Sequence, residues 1–143
     1  MNYDQWEVTA SEAVRSDPTW KVEAYRLGLF AGAVAWADAE VLVRDPRGSI
    51  VAGQLMRSAA SVPAQIAEGY GRRSAKDRVR YYEYALGSVG ETRAWYITIR
   101  EAIGAEALNA RMANLLSLTR LLLTMIRRER EKPADWMDRD REH

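Results

Sequence analysis

The chain has 143 residues, 48% hydrophobic and 29% charged, which suits one domain with a buried core and excludes a disordered tail. It has no cysteine and its single histidine is the last residue, His143, so disulfide scaffolds, thiolate zinc sites, cysteine nucleophiles, histidine triads and multi-histidine metal centres are excluded. Net charge is +1, with no global pull toward nucleic acid, and no apolar run approaches the roughly 20 residues of a membrane helix.

Residues 1–16 place Tyr3, Trp6, Ala10, Ala13 and Val14 at helix-like spacing, which predicts a flexible lead or a short accessory helix. Asp17-Pro18 reads as an N-cap followed by a first-turn proline, opening a segment at about 18–44. Asp45-Pro46-Arg47-Gly48 is a turn by composition, and a second segment is expected over about 48–70. Gly69-Tyr70-Gly71 reads as a glycine stop. Ser74 and Asp77 then form a capping box that opens a third segment, about 74–103. Gly104 closes it, and a fourth segment runs over about 105–131 to Lys132-Pro133. All four are rich in Ala, Leu, Glu and Arg, and no alternating β-branched run interrupts them. The reading is all-α: an antiparallel up-down-up-down four-helix bundle over 17–132, followed by a mobile charged tail at 133–143.

Within the second segment, Pro63 predicts a kink, because it lacks an N–H and crowds the carbonyl of Ala59. Arg57, Ser61, Gln65, Glu68 and Arg72 fall within about 80° of arc and form a polar stripe around it. The third segment carries two adjacent seams. One runs Val79, Tyr82, Leu86, Val89, Arg93, Tyr96, Arg100, Ile103; the other runs Tyr81, Ala85, Ser88, Thr92, Trp95, Ile99, Ala102. Either they form one broad core stripe, or one faces the bundle and the other a second subunit. The fourth segment is apolar nearly all round over Leu115–Ile126, which leans the same way. Trp95, Ile99, Leu116 and Leu123 are therefore the expected oligomer contacts.

The string Gln54-Leu-Met-Arg-Ser-Ala-Ala-Ser-Val-Pro-Ala-Gln-Ile-Ala-Glu-Gly-Tyr-Gly-Arg-Arg-Ser74, followed by Lys76-Asp77, Tyr81-Tyr82, Ala85, Gly87-Ser88 and Glu91, resembles a family of four-helix bundles. Its members are encoded in intervening sequences of bacterial 23S ribosomal RNA genes. The resemblance covers about 20–130, its specific part 54–91, and it marks Arg57, Ser61, Pro63, Gln65, Glu68, Gly69, Gly87, Ser88 and Glu91 as motif positions. Gln65 stands where the family usually has asparagine, and Tyr81-Tyr82 where phenylalanine and leucine are common. The resemblance implies a bundle that assembles as a ring, typically a pentamer. The accessory proteins of diversity-generating retroelements are similar in architecture and bind reverse transcriptase and RNA, an analogy at the level of fold.

Two functions follow as expectations. The first is a non-catalytic oligomer that binds RNA or a ribonucleoprotein through Arg72, Arg73, Lys76, Arg78 and Arg80, with Tyr70, Tyr81 and Tyr82 among them for base stacking. Residues 48–131 hold 13 Arg or Lys against 8 Asp or Glu, whereas the first 20 residues carry a net −3. The alternative is a structural adaptor ring that binds another protein, such as a reverse transcriptase-like partner. Catalysis is not expected, because Glu68, Glu83 and Glu91 have no Glu-x-x-His companion and no nucleophile–base set is visible. Glu68 is expected to be buried, bonded to a helix end or paired with Arg57 or Arg72. No cofactor is implied. The acidic N-terminus and the lack of cysteine favour the bacterial cytoplasm.

Overall fold

The computed structural model describes residues 1–132; the expected tail at 133–143 lies outside the described residues. The described residues are all-α: α1 (Tyr3–Thr9), α2 (Glu12–Arg15), a 3-10 turn (Pro18–Lys21), α3 (Glu23–Leu42), α4 (Pro46–Tyr70), α5 (Ala75–Thr98), α6 (Arg100–Ile103) and α7 (Ala105–Arg130). The four long helices pack as a closed ring in which α3 meets α4, α4 meets α5, α5 meets α7, and α7 returns to α3. Cross-helix pairs run in opposite senses between α3 and α4 and between α4 and α5. Gly28 and Gly48 lie against Pro63 and Leu42, Arg57 and Gly69 against Glu91 and Tyr81, and Arg78 and Arg111 join Glu129 and Asp38. α3, α4 and α5 therefore alternate in direction.

The helix starts follow capping chemistry. The Ser74 hydroxyl accepts from Asp77 N–H at 3.1 Å and caps α5. The Asp17 carboxylate accepts from Thr19 N–H at 2.9 Å but caps only the 3-10 turn, so the first long helix starts later than the expected 18, at Glu23, after Val22, which offers no side-chain cap. Asp45 also caps, accepting from Arg47 N–H at 2.9 Å, so α4 begins at Pro46 and takes in the residues read as a turn. Gly48 lies in that first turn because a Cβ there would collide with the carbonyl of Leu42 at the end of α3. The third segment is shorter than expected. Its helix ends at Thr98, Ile99 leaves helical geometry at φ −100° and ψ 15°, and α6 is a separate turn. Gly104 is the single residue with positive φ (88°) among the described residues, which suits the sharp entry into α7.

Pro63 lies inside α4 without interrupting it. Its ring packs on α3, where a Cβ added to Gly28 would meet it at 3.4–3.5 Å. The hydroxyls of Ser58 and Ser61, five and two residues before the proline, donate to the carbonyls of Leu55 and Ser58 at 3.1 and 2.8 Å, local bonds that favour bending of a helix. At the far end of α4 a Cβ on Gly69 would lie 2.8 Å from the Tyr81 Cβ and 2.9 Å from the Tyr82 ring, so only glycine allows α5 this close.

The core resolves the two seams of α5 into one stripe. Tyr82, Val89 and Tyr96 from the first alternate with Ala85, Thr92 and Ile99 from the second, a 3-4 repeat that points at the bundle axis. Val79, Leu86, Trp95 and Ile103 are its half-buried margins. The two seams are thus one core stripe and not two separate faces. In α7, Leu115, Leu118, Leu122 and Ile126 are buried. At the N-terminus, α1 is an accessory helix. Tyr3 and Trp6 pack on Phe30 with ring centroids 5.8 and 5.6 Å away, and Arg26 donates to the Tyr3 hydroxyl and the Trp20 carbonyl.

Two polar ties cross the core. The guanidinium of Arg111 donates to both oxygens of Asp38 at 2.8 and 3.0 Å, and the Tyr96 hydroxyl donates to Asp38 at 2.7 Å, joining α7, α3 and α5. Burial and the Asp38 bond together push the Tyr96 hydroxyl well above its ordinary range. The second tie is the hydroxyl pair Ser58–Thr92, 2.9 Å apart between α4 and α5.

Glu68 pairs with Arg72 one turn on at 2.5 Å, as expected, but it is exposed and not buried. Exposed pairs contribute roughly 0–1 kcal/mol, whereas removing one member of a buried, hydrogen-bonded charge cluster costs about 3–5 kcal/mol. Asp38→Ala is therefore expected to lower the melting temperature by about 10 °C or more, and Glu68→Ala by no more than about 3 °C. Thermal melts of both variants check this ranking, which a larger loss for Glu68→Ala overturns.

Tyrosine ionisation gives a pH test. Tyr82 is pushed up to about 12, chiefly by burial and then by the Glu129 charge, and Tyr96 is raised as well. A raised folded value means the neutral phenols stabilise the fold in full below their unfolded value of about 10, and that contribution is lost as pH rises through the folded values. Urea midpoints are expected to be flat to about pH 9 and to fall above pH 10, with a shallower fall in Tyr82→Phe.

Candidate nucleic-acid interface

The end of the bundle where α4 turns into α5 gathers most of the basic residues singled out in the sequence. Three chemical facts shape it. The turn backbone is short, held by Gly71 N–H to the Ala67 carbonyl (3.2 Å) and Arg72 N–H to the Gly69 carbonyl (3.0 Å). Ser74 then caps α5 and sends Lys76 and Arg80 outward along its first turns. Finally, Tyr81 follows Arg80 on the same surface and interacts with two of the guanidiniums.

The five candidate cations divide sharply. Arg73 and Lys76 are exposed, and neither has an acidic partner among the described residues. Arg72 is half-buried; its Nη2 donates to Glu68 and to the Tyr81 hydroxyl (2.8 Å), and its guanidinium carbon lies 4.7 Å from the Tyr81 ring centroid. The Glu68 hydrogen bond holds its guanidinium above the ordinary arginine value. Arg80 is exposed, 3.8 Å from Asp77 and 5.3 Å from the same Tyr81 ring. Arg78 is different. It is buried, donates to Glu129 of α7 at 2.9 Å and to the carbonyls of Arg72 and Arg73 at 2.9 and 3.0 Å, and so belongs to the framework of the turn and not to its surface. The reason is helical phase: residue 78 begins the core stripe that continues through Tyr82 and Ala85.

The aromatic companions divide the same way. Tyr82 is buried, which removes it as a stacking surface. Tyr70 is half-buried, with Lys21 from the start of the bundle 5.5 Å from its ring centroid. Tyr81 sets its ring against two guanidiniums. Tyr84, not singled out in the sequence, is half-exposed and meets Tyr81 edge to face, with centroids 5.6 Å apart and planes at 88°.

Sequence reasoning also missed the contribution of α7. Its last turn carries Arg127, Arg128 and Arg130, and antiparallel packing puts Lys76 beside Arg130 and Lys132 around one shallow cavity. Arg127 and Arg128 are exposed without an acidic partner among the described residues, while Arg130 pairs with Glu83. The run Arg127-Arg128-Glu129-Arg130 was visible in the sequence. Its adjacency to Lys76 was not, because that depends on the direction of α7 against α5.

The remaining motif residues lie along the α4–α5 surface. Arg57 and Glu91 form an ion pair across it, Arg57 also donating to Gln54 at 3.2 Å. Pro63 and Gly69 are buried contact points; Ser61 and Gln65 are half-buried; Ser88 supplies the carbonyl that lies 2.7 Å from the Thr92 hydroxyl. Gly87 faces open space. Of the expected oligomer contacts, Ile99 is buried in the chain's own core, which removes it from that set. Trp95 is half-buried, with its indole N–H covered and without a partner among the described residues. Leu116 and Leu123 are 42% and 53% exposed.

Among the described residues no group of three or more His, Cys, Asp or Glu could hold a metal ion, and no helix is long and apolar enough to cross a membrane. No curated protein and no solved structure matches the chain. The sequence pattern of one family does, across residues 45–126, from the cap of α4 to the last buried residue of α7. By that match, over more than half its length, the chain belongs to the 23S rRNA-intervening sequence protein family.

Proposed function

We propose that the protein is a non-catalytic homo-oligomeric bundle that binds RNA, or a ribonucleoprotein, through the basic end formed by the α4–α5 turn and the last turn of α7. The observation that carries the reading is the set of exposed cations without acidic partners among the described residues (Arg73, Lys76, Arg127 and Arg128), together with guanidiniums held on an aromatic ring. Phosphate contact needs mobile or outward positive charge, and binding of that kind weakens with salt as counterions are released. In this reading the protein works in the cytoplasm, which its lack of cysteine supports.

The oligomer has its own support. Gly87, Ala94 and Ile97 fall within about 80° on the outside of α5. On α7, Leu116 and Leu123 are exposed as well. An apolar strip with a small-residue floor suits a second copy, and the family resemblance favours five. The same strip supports the second reading, an adaptor ring that binds another protein such as a reverse transcriptase-like partner without touching RNA.

Reversing Arg72, Arg73 and Lys76 to glutamate is expected to leave helicity intact and to abolish RNA retention at low salt. Filter binding across a salt series checks this; wild type without salt-sensitive retention overturns the RNA reading in favour of the adaptor. For the oligomer, light scattering is expected to give a mass several times the 16.2 kDa chain and to fall toward one chain in Leu123→Glu. A wild-type monomer at micromolar concentration overturns it.

A further inference from the structure

Tyr84 stands outside every role assigned above, yet its surroundings are ordered. Its ring is half-exposed and abuts Tyr81 edge to face at 5.6 Å. Tyr81 in turn is fixed from three directions: its hydroxyl accepts from Arg72 at 2.8 Å, its ring sits against the guanidiniums of Arg72 and Arg80, and its Cβ lies against Gly69 of α4. Arg72 is itself anchored on Glu68. Lys76, Arg80 and Tyr84 follow one another at four-residue steps, a line of two cations and one aromatic on one side of α5, each step rising about 6 Å. A surface tyrosine ordinarily loses rotamer freedom when a ligand stacks on it. Here the neighbouring ring already restricts it, so less is lost on binding.

We propose that Tyr84 is a base-stacking platform and that the site takes single-stranded RNA, with phosphates on Lys76, Arg80 and the Tyr81-held Arg72. The chemistry favours an unpaired strand over a duplex. Bases inside an A-form helix are stacked on each other, and a side chain on a convex helix surface reaches only the backbone and 2′-hydroxyls. An isolated aromatic beside outward cations contributes when a base is free to leave its stack and lie on the ring. A duplex uses the cations and leaves Tyr84 idle. Tyr81 is the positioning residue: its ring is engaged by two guanidiniums, so it orients them and supports Tyr84.

This inference rests on the RNA reading above, and the experiment separates the two. Fluorescence anisotropy is measured on the full chain with a labelled oligouridine of about 12 nucleotides, within the site sizes of single-strand binders, and with an RNA duplex of equal length. Tyr84→Ala is expected to weaken the oligouridine about 5- to 20-fold, the lower part of the range for loss of one stacked base, and to leave the duplex unchanged. Tyr84→Phe, which keeps the ring, is expected to bind as wild type. The Arg72, Arg73 and Lys76 reversal is expected to abolish binding of both probes. If the reversal abolishes binding but Tyr84→Ala changes neither probe, or both equally, the platform fails and the RNA reading stands. Wild type that binds the duplex better than the oligouridine overturns the platform too. Wild type that binds neither probe removes both proposals. Circular dichroism on each variant, with Tyr84→Phe as the folded reference, guards against a change in fold.

Discussion

The close approach of α4 to its neighbours on both sides is the constraint on which the rest of the bundle depends. Where α3 and α4 meet, Gly28 lies against the Pro63 ring, and at their connection Gly48 admits the carbonyl of Leu42. Where α4 and α5 meet, Gly69 admits both Tyr81 and Tyr82. Between these points the buried face of α4 includes Ala52, Ser58 and Ala59, small enough to keep the axes near. The larger buried residues, Leu55, Val62 and Ile66, then meet the α5 and α7 stripes in the centre. A Cβ at Gly69 would push α5 away at the very point where the basic turn begins, so packing and candidate interface share one geometric requirement.

Polar groups are distributed according to what the bundle leaves uncovered. In the interior, Asp38, Tyr96 and Arg111 satisfy one another across three helices, and Ser58 and Thr92 across two. These ties are directional, which sets helix order and register more than it adds net stability, since charges removed from water recover little beyond their own desolvation. On the α4–α5 surface, Arg57–Glu91 and Glu68–Arg72 are exposed and weak individually. At the basic end, cations outnumber nearby carboxylates, and the excess faces solvent.

Fold class was legible because its signals are local. Asp45 and Ser74 cap long helices by their own side chains, and Gly104 takes the positive φ that a sharp entry requires. The boundary errors have local causes too. Asp45-Pro46 reads equally as a turn and as a cap with a first-turn proline, and Ile99 breaks α5 with no glycine or proline to mark it. Site residues were less legible, because burial depends on phase and partner. Arg78 looks like one more cation in a basic run until the core stripe of α5 is fixed, and then it is the only one pointing inward. Glu68 looks like a buried motif acid, yet α4 turns it to solvent. Tyr84 carries no signal in the sequence; its neighbour's two guanidiniums and the edge contact single it out.

The inward position of Arg78 has a consequence for how the turn behaves. Its Nη1 holds the carbonyls of Arg72 and Arg73, and its Nε is tied to Glu129 on α7. The loop that displays the outward cations is thus clamped by one of its own members to the far end of the chain. A segment held in this way has little ordering left to undergo, so a partner docking on the proposed interface is expected to meet it as a rigid body, with a small heat-capacity change, the opposite of the coupled folding common in arginine-rich binding segments.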